Sequence, residues 1–68
     1  MSQLSIVSAR LQGYRGTVSD LISKTEDARN DCYAANDDSA GNIVTDALRA
    51  LEDAHDRLQE AAAFVSGR

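Results

Sequence analysis

The feature that most constrains this chain is a 3.5-residue repeat that runs almost from end to end. Stepping by alternating threes and fours from Leu4 gives Val7, Leu11, Tyr14, Val18, Leu21, Thr25, Ala28, Cys32 and Ala35, of which only Thr25 is polar. After a polar stretch the same spacing resumes as Val44, Ala47, Leu51, Ala54, Leu58, Ala61 and Val65. Such a repeat belongs to helices that bury one narrow stripe against another helix. The absence of proline agrees. The spacing predicts an all-α fold, a coiled-coil-like antiparallel two-helix hairpin forming a single domain over 1–68. Helix one is expected over about 3–36, the turn over 37–41 and helix two over about 42–66. Folding about that turn sets Ala35 against Val44, Cys32 against Ala47, Ala28 against Leu51, Val18 against Ala61 and Tyr14 against Val65.

Local signals fill in the ends. Ser2 is suited to cap helix one and Gly67 to stop helix two. Asn36-Asp37-Asp38-Ser39-Ala40-Gly41-Asn42 supplies left-handed conformers and capping side chains, with Asp38 or Ser39 expected at the start of helix two. The pair Gly13 and Gly16 costs about 1 kcal/mol each relative to alanine inside a helix, and Thr17-Val18-Ser19-Asp20 resembles a capping box that could restart it. Because the apolar phase passes Leu11, Tyr14 and Val18 without a slip, one continuous helix, kinked at most, is expected.

A chain of 68 residues has little interior, and its single cysteine allows no internal disulfide. Association is the remaining stabiliser, so two hairpins are expected to dimerise into a four-helix bundle. In the expected register Leu4, Ile6, Val7 and Leu11 overhang the end of helix two, Tyr14 closes the open end, and Ile22, Leu48, Ala62 and Phe64 flank the stripe. Leu4, Ile6, Val7, Leu11, Tyr14, Ile22, Leu48 and Phe64 are therefore the candidate partner-binding residues, for further copies of the chain in a homodimer or tetramer, or for a helix of another protein laid in a groove.

Charge argues against other partners. The net charge is −4. Residues 1–24 hold Arg10, Arg15 and Lys24 against Asp20, a local +2, while residues 25–68 hold ten carboxylates against four arginines, a local −6. Nucleic acid needs a concentrated basic face, which is missing. The longest apolar run is Ala61 to Val65, far short of the roughly 18 residues of a membrane span. With no secretory segment legible at its start, the chain is expected to be cytoplasmic when made, any export following a route without a cleaved signal.

Chemistry-bearing motifs are few. Glu52-Asp53-Ala54-His55 contains the Glu-x-x-His pair that ligates iron or manganese in carboxylate bundles, and Glu26 on helix one is expected at about the same level. That defines an alternative, a metal-binding four-helix bundle using Glu26, Glu52 and His55. However, Glu52 and His55 flank the stripe instead of occupying it, and the pair arises readily in any helix. A calcium loop starting at Asn36 fails at Ala40 and Ala47, where oxygen ligands are required. Cys32 sits within the apolar stripe, about 12 Å along the axis from His55, so no nucleophile pair forms. The expectation is a non-enzymatic chain without cofactors.

The turn with Gly41, the segment Asp46-Ala47-Leu48-Arg49-Ala50-Leu51-Glu52-Asp53-Ala54-His55-Asp56-Arg57-Leu58-Gln59-Glu60-Ala61 and Tyr33-Ala34-Ala35-Asn36-Asp37 together carry a family resemblance. The chain resembles the WxG-type helical-hairpin proteins of actinobacterial type VII secretion and the alanine-rich hairpin leaders of actinobacterial toxins. The resemblance implies a secretion-associated hairpin or adaptor, with Tyr33 and Asp37 in the places of a tyrosine-x-x-x-acidic export signal. It departs from that pattern in lacking a tryptophan in the turn and in carrying the tyrosine before the turn. On the residues alone, the expected function is a small protein–protein interaction module.

Overall fold

The computed structural model describes residues 3–67, so Ser2, expected as the first cap, lies outside the described residues. Helix α1 spans Gln3–Ala34 and α2 spans Asp38–Ser66. They pack against each other as an antiparallel hairpin whose Cα extents are 54 × 14 × 10 Å. Helix α1 runs unbroken through Gly13 and Gly16. The Thr17 hydroxyl donates back to the Gly13 carbonyl at 3.3 Å, so it serves the ongoing helix and caps nothing. At its far end α2 stops at Gly67, whose backbone stays right-handed at φ −77° while its N–H bonds back to the Ala63 carbonyl.

The turn is tighter than the expected 37–41 and lies earlier. The Asn36 N–H donates to the Tyr33 carbonyl and the Asp37 N–H to the Cys32 carbonyl, both at 3.0 Å. This is the paired 5→2 and 6→1 closure that ends a helix through a left-handed residue, and Asn36, at φ 62°, is that residue. Asp37 then caps α2, its Oδ1 accepting from the Ala40 N–H at 3.0 Å. The cap is thus Asp37, not Asp38 or Ser39, and α2 begins four residues before the expected 42. Asp38 in the first turn also favours the positive end of the helix dipole.

The earlier turn moves the register. The expected pairing put Ala62 level with Thr17, but the Ser8 hydroxyl donates to the Ala62 carbonyl at 3.3 Å. The helices are therefore displaced by about nine residues, roughly 13 Å. Counting from that anchor, one row of the seam pairs Ser8 with Ala62, Arg15 with His55, Ile22 with Leu48 and Arg29 with Gly41. The other row pairs Leu4 with Val65, Leu11 with Leu58, Val18 with Leu51 and Thr25 with Val44. Burial follows these rows, since Ser8, Gly41, Leu48 and Ala62 are buried and the remainder, Leu4 excepted, are half-buried. Half of each expected stripe is thus displaced by one residue. Val7, Tyr14, Leu21 and Ala28 give way to Ser8, Arg15, Ile22 and Arg29. On α2, Leu48 and Ala62 are buried, whereas Ala47 is exposed and Ala54 and Ala61 stay half-buried at the seam's margin. The rotation has a physical reason: it brings Leu48 and Ile22 together instead of stacking alanines, and Arg15 and Arg29 can lay their methylene stems along the seam while their heads reach water. The expected N-terminal overhang is absent too, because α2 runs to Ser66, the level of Leu4.

The interior is thin. Leu48 and Ala62, 5% and 3% exposed, are the only buried apolar residues among those described, and no large side chain is fully enclosed. The hairpin exposes 4929 Å², whereas a compact chain of 7.3 kDa exposes about 4,200 Å². No described helix is long and apolar enough to cross a membrane.

Candidate interaction face

The column of each helix displaced from the seam does not scatter over the surface. In an antiparallel pair, positions at equal angles from the seam emerge on the same broad side of the hairpin. The tip demonstrates this, because Tyr33 of α1 meets Asn42 and Thr45 of α2 on the side away from the displaced columns. The displaced columns, Val7, Tyr14, Leu21 and Ala28 on α1 and Ala40, Ala47, Ala54 and Ala61 on α2, therefore share the other side. Next to the alanines, again at intervals of seven, come Ile43, Ala50, Arg57 and Phe64. Ile43, Phe64, Tyr14 and Leu21 are 71, 64, 54 and 44% exposed. The opposite side carries Gln12, Ser19, Glu26, Glu52, Gln59 and similar residues, all exposed. One broad side is apolar and one is polar.

The sequence-derived partner residues divide accordingly. Val7, Tyr14 and Phe64 lie on the apolar side, with Leu4 at its open end, while Ile6 stands on the back of α1 opposite the seam, all exposed. Leu11, Ile22 and Leu48 do not belong with them, because they pack inside the hairpin seam. Leu21 and Ile43 were missed as surface residues. Leu21 had been assigned to the buried stripe, and Ile43 precedes the expected stripe of helix two by one position. The recurrence of Ile43 and Phe64 at multiples of seven was the available signal.

The tip is held by Tyr33. A Cβ at Gly41 would overlap its ring, at 2.6 Å from Cζ and 2.7 Å from Cδ1. The Tyr33 hydroxyl donates to Asn42 Oδ1 at 3.0 Å and lies 3.4 Å from the Thr45 hydroxyl. Gly41 is helical and serves close approach, not a turn. Tyr33 and Asp37, the two residues of the export-signal pattern, thus both have work at the tip, one in packing and one in capping.

The alternative metal set is not assembled. In the observed register Glu26 lies level with Val44, about eight residues or roughly 12 Å along the axis from Glu52, and the half-buried His55 falls level with Arg15. Among the described residues no group of three or more His, Cys, Asp or Glu side chains could hold a metal. Cys32 is half-buried near the tip, far along the hairpin from His55. Among the described residues the ion pairs are local and exposed: Arg57 to Asp53 at 2.9 Å and Arg49 to Asp46 at 4.0 Å, while the half-buried His55 ring lies 3.9 Å from the Asp56 carboxylate. The hydrogen bond to Asp53 and its charge hold the Arg57 guanidinium above its ordinary pKa. The surface hollows, such as the one between Arg57, Glu60, Ala61 and Phe64, are shallow and formed by single helices. What this arrangement offers is a long, nearly flat apolar side bordered by charge. No family model, no curated protein and no solved structure matches the chain.

Proposed function

We propose that this chain is a small non-enzymatic protein–protein interaction module, and that its first partner is itself, two hairpins closing into a four-helix bundle. The observation that carries the reading is the apolar side bearing Val7, Tyr14, Leu21, Ile43 and Phe64, set against a hairpin interior in which Leu48 and Ala62 are the only buried apolar residues among those described. An exposed apolar surface of this size on so small a chain is the usual mark of an interface. Beside its seam residues α2 carries a second largely apolar pair of columns, Ala40, Ala47, Ala54 and Ala61 with Ile43, Ala50 and Phe64, wider than one neighbouring helix needs.

Sedimentation across a concentration series, with thermal melts, tests the reading. A dimer whose Tm rises with concentration is expected. Leu21→Asp should abolish association and leave helix content largely in place, since Leu21 stands outside the seam. A chain that stays monomeric and well folded at all concentrations would overturn self-association.

A further inference from the structure

The charges beside the apolar side differ in sign from those on the rest of the hairpin. We propose that this side also takes a helix of another protein, an amphipathic helix whose apolar stripe is edged by carboxylates, in place of a second copy. The inference goes beyond self-association and does not depend on it. A helix laid in the groove between α1 and α2 meets α1 along Val7, Tyr14 and Leu21, and α2 along Ala47, Ala54 and Ala61. The alanines allow close approach, and Tyr14 and Leu21, 54 and 44% exposed, supply the bulk. The next column outward on each helix takes the place that pairing charges hold beside a coiled-coil seam. On α1 that column is Gln3, Arg10, Thr17, Lys24 and Asp31, and on α2 it is Ile43, Ala50, Arg57 and Phe64.

Three cations and one carboxylate thus flank the groove, on a chain whose net charge is −4. Arg10, Lys24 and Arg57 are exposed. Shallow hollows set Arg10 beside Val7 on α1 and Arg57 beside Ala61 and Phe64 on α2. Neither Arg10 nor Lys24 is in an ion pair among the described residues. Arg57 gives its Nε–H to Asp53, with Glu60 also behind it, so Arg10 and Lys24 carry most of the recognition. Asp20, Asp27, Asp46, Asp53 and Glu60 stand on the backs of the helices, and Glu26 and Glu52 on the polar side. Charge is screened within about 8 Å at physiological salt, and a helix is about 10 Å across. A ligand on the apolar side therefore meets the local cations, not the net charge. A second copy offers them no match, because its own carboxylates stand on its back and polar side. Arg10 and Lys24 lie two heptads apart, about 21 Å, which sets the spacing of carboxylates on one edge of the ligand helix.

Two synthetic helical peptides of about 25 residues, sharing one leucine stripe and edged by glutamate or by lysine, are the probes. Their binding to the full chain is read by fluorescence anisotropy at about 0.15 M salt. The glutamate-edged peptide should bind about tenfold or more tighter. Arg10→Glu with Lys24→Glu should erase or invert that order, and the gain of lysine-edged binding is a readout that lost folding could not give. Gln12→Glu, Gln59→Glu and Arg49→Glu together make the same change in net charge away from the groove, and should leave the preference within about threefold. Equal affinity for the two peptides, preference for lysine, or no binding of either at about 1 mM overturns the inference. So does binding to mixed phosphatidylserine and phosphatidylcholine vesicles without binding to either peptide, which would assign the cations to a lipid surface. A monomer in the sedimentation series, with the glutamate-edged peptide still selected, overturns self-association and supports this reading.

Discussion

Gly41→Ala provides a test whose sign depends on one neighbour. Gly41 is the fourth residue of α2, and alanine there gains about 1 kcal/mol of helix propensity. The new Cβ would overlap the Tyr33 ring, so the ring must swing away. Tyr33 is 38% exposed, leaving about three-fifths of its surface covered. For a tyrosine that is roughly 120 Å² of mostly apolar area, worth up to about 3 kcal/mol and nearer 2 once the unfolded chain's own burial is allowed for. The hydrogen bond to Asn42 adds about 0.5–1 kcal/mol. Losing both outweighs the propensity gain, so Gly41→Ala should destabilise the hairpin by about 1–2 kcal/mol. In a Tyr33→Ala background the overlap is gone, and the same substitution should stabilise by up to about 1 kcal/mol. Urea unfolding followed by far-UV circular dichroism, at one fixed protein concentration, measures both arms. If Gly41→Ala is neutral or stabilising with Tyr33 in place, the glycine is not held small by the ring and this account of the tip is wrong.

Three further outcomes follow from the same geometry. Gly13→Ala and Gly16→Ala meet open space in a continuous helix and should each raise stability by about 0.5–1 kcal/mol in urea melts. Asn36→Gly should be tolerated within a few tenths of a kcal/mol, whereas Asn36→Ala should cost about 1 kcal/mol, since the position needs a left-handed backbone; thermal melts of the pair separate them. Leu48→Ala removes the one large apolar side chain buried in the seam and should cost about 2–4 kcal/mol, enough to leave the chain largely unfolded by circular dichroism.

Much of the hairpin was legible in the residues, and the misreadings are instructive. One column of each helix was assigned to the seam correctly: Leu11, Val18, Thr25 and Cys32 on α1, and Val44, Leu51, Leu58 and Val65 on α2. The second column was not. A seam that steps three then four and one that steps four then three have the same period and share half their residues, so periodicity cannot separate them. Tyr14 and Leu21 look more like seam residues than Arg15 and Arg29. Only the opposing helix decides, because its rival columns are the alanines at 40, 47, 54 and 61 and the set containing Leu48 and Ala62. The turn was placed late for a related reason. Gly41 attracted the left-handed role that Asn36 fills, and its true constraint, the Tyr33 ring, comes from across the tip. The Glu26, Glu52 and His55 set dissolved with the register, since a shift of about nine residues carries Glu26 well clear of the other two.

The rotation that displaced the expected seam also limits how far association can go. Had the hairpin packed through its Tyr14 and Leu21 column, those side chains would be half-covered, and Ile22 and Leu48 would face outward instead. In the observed arrangement Val7, Tyr14, Leu21, Ile43 and Phe64 stand on one side, and the other side is lined by Gln12, Ser19, Glu26, Glu52 and Gln59, with Tyr33 folded over the tip. An interface made by one face with itself under a two-fold is satisfied by two copies and presents nothing apolar to a third. On the proposed reading the assembly therefore closes: sedimentation at rising concentration should reach the mass of two chains and stay there. Continued growth toward longer species would mean that a second surface takes part, and the polar side, or the ends near Leu4 and Val65, would have to supply it.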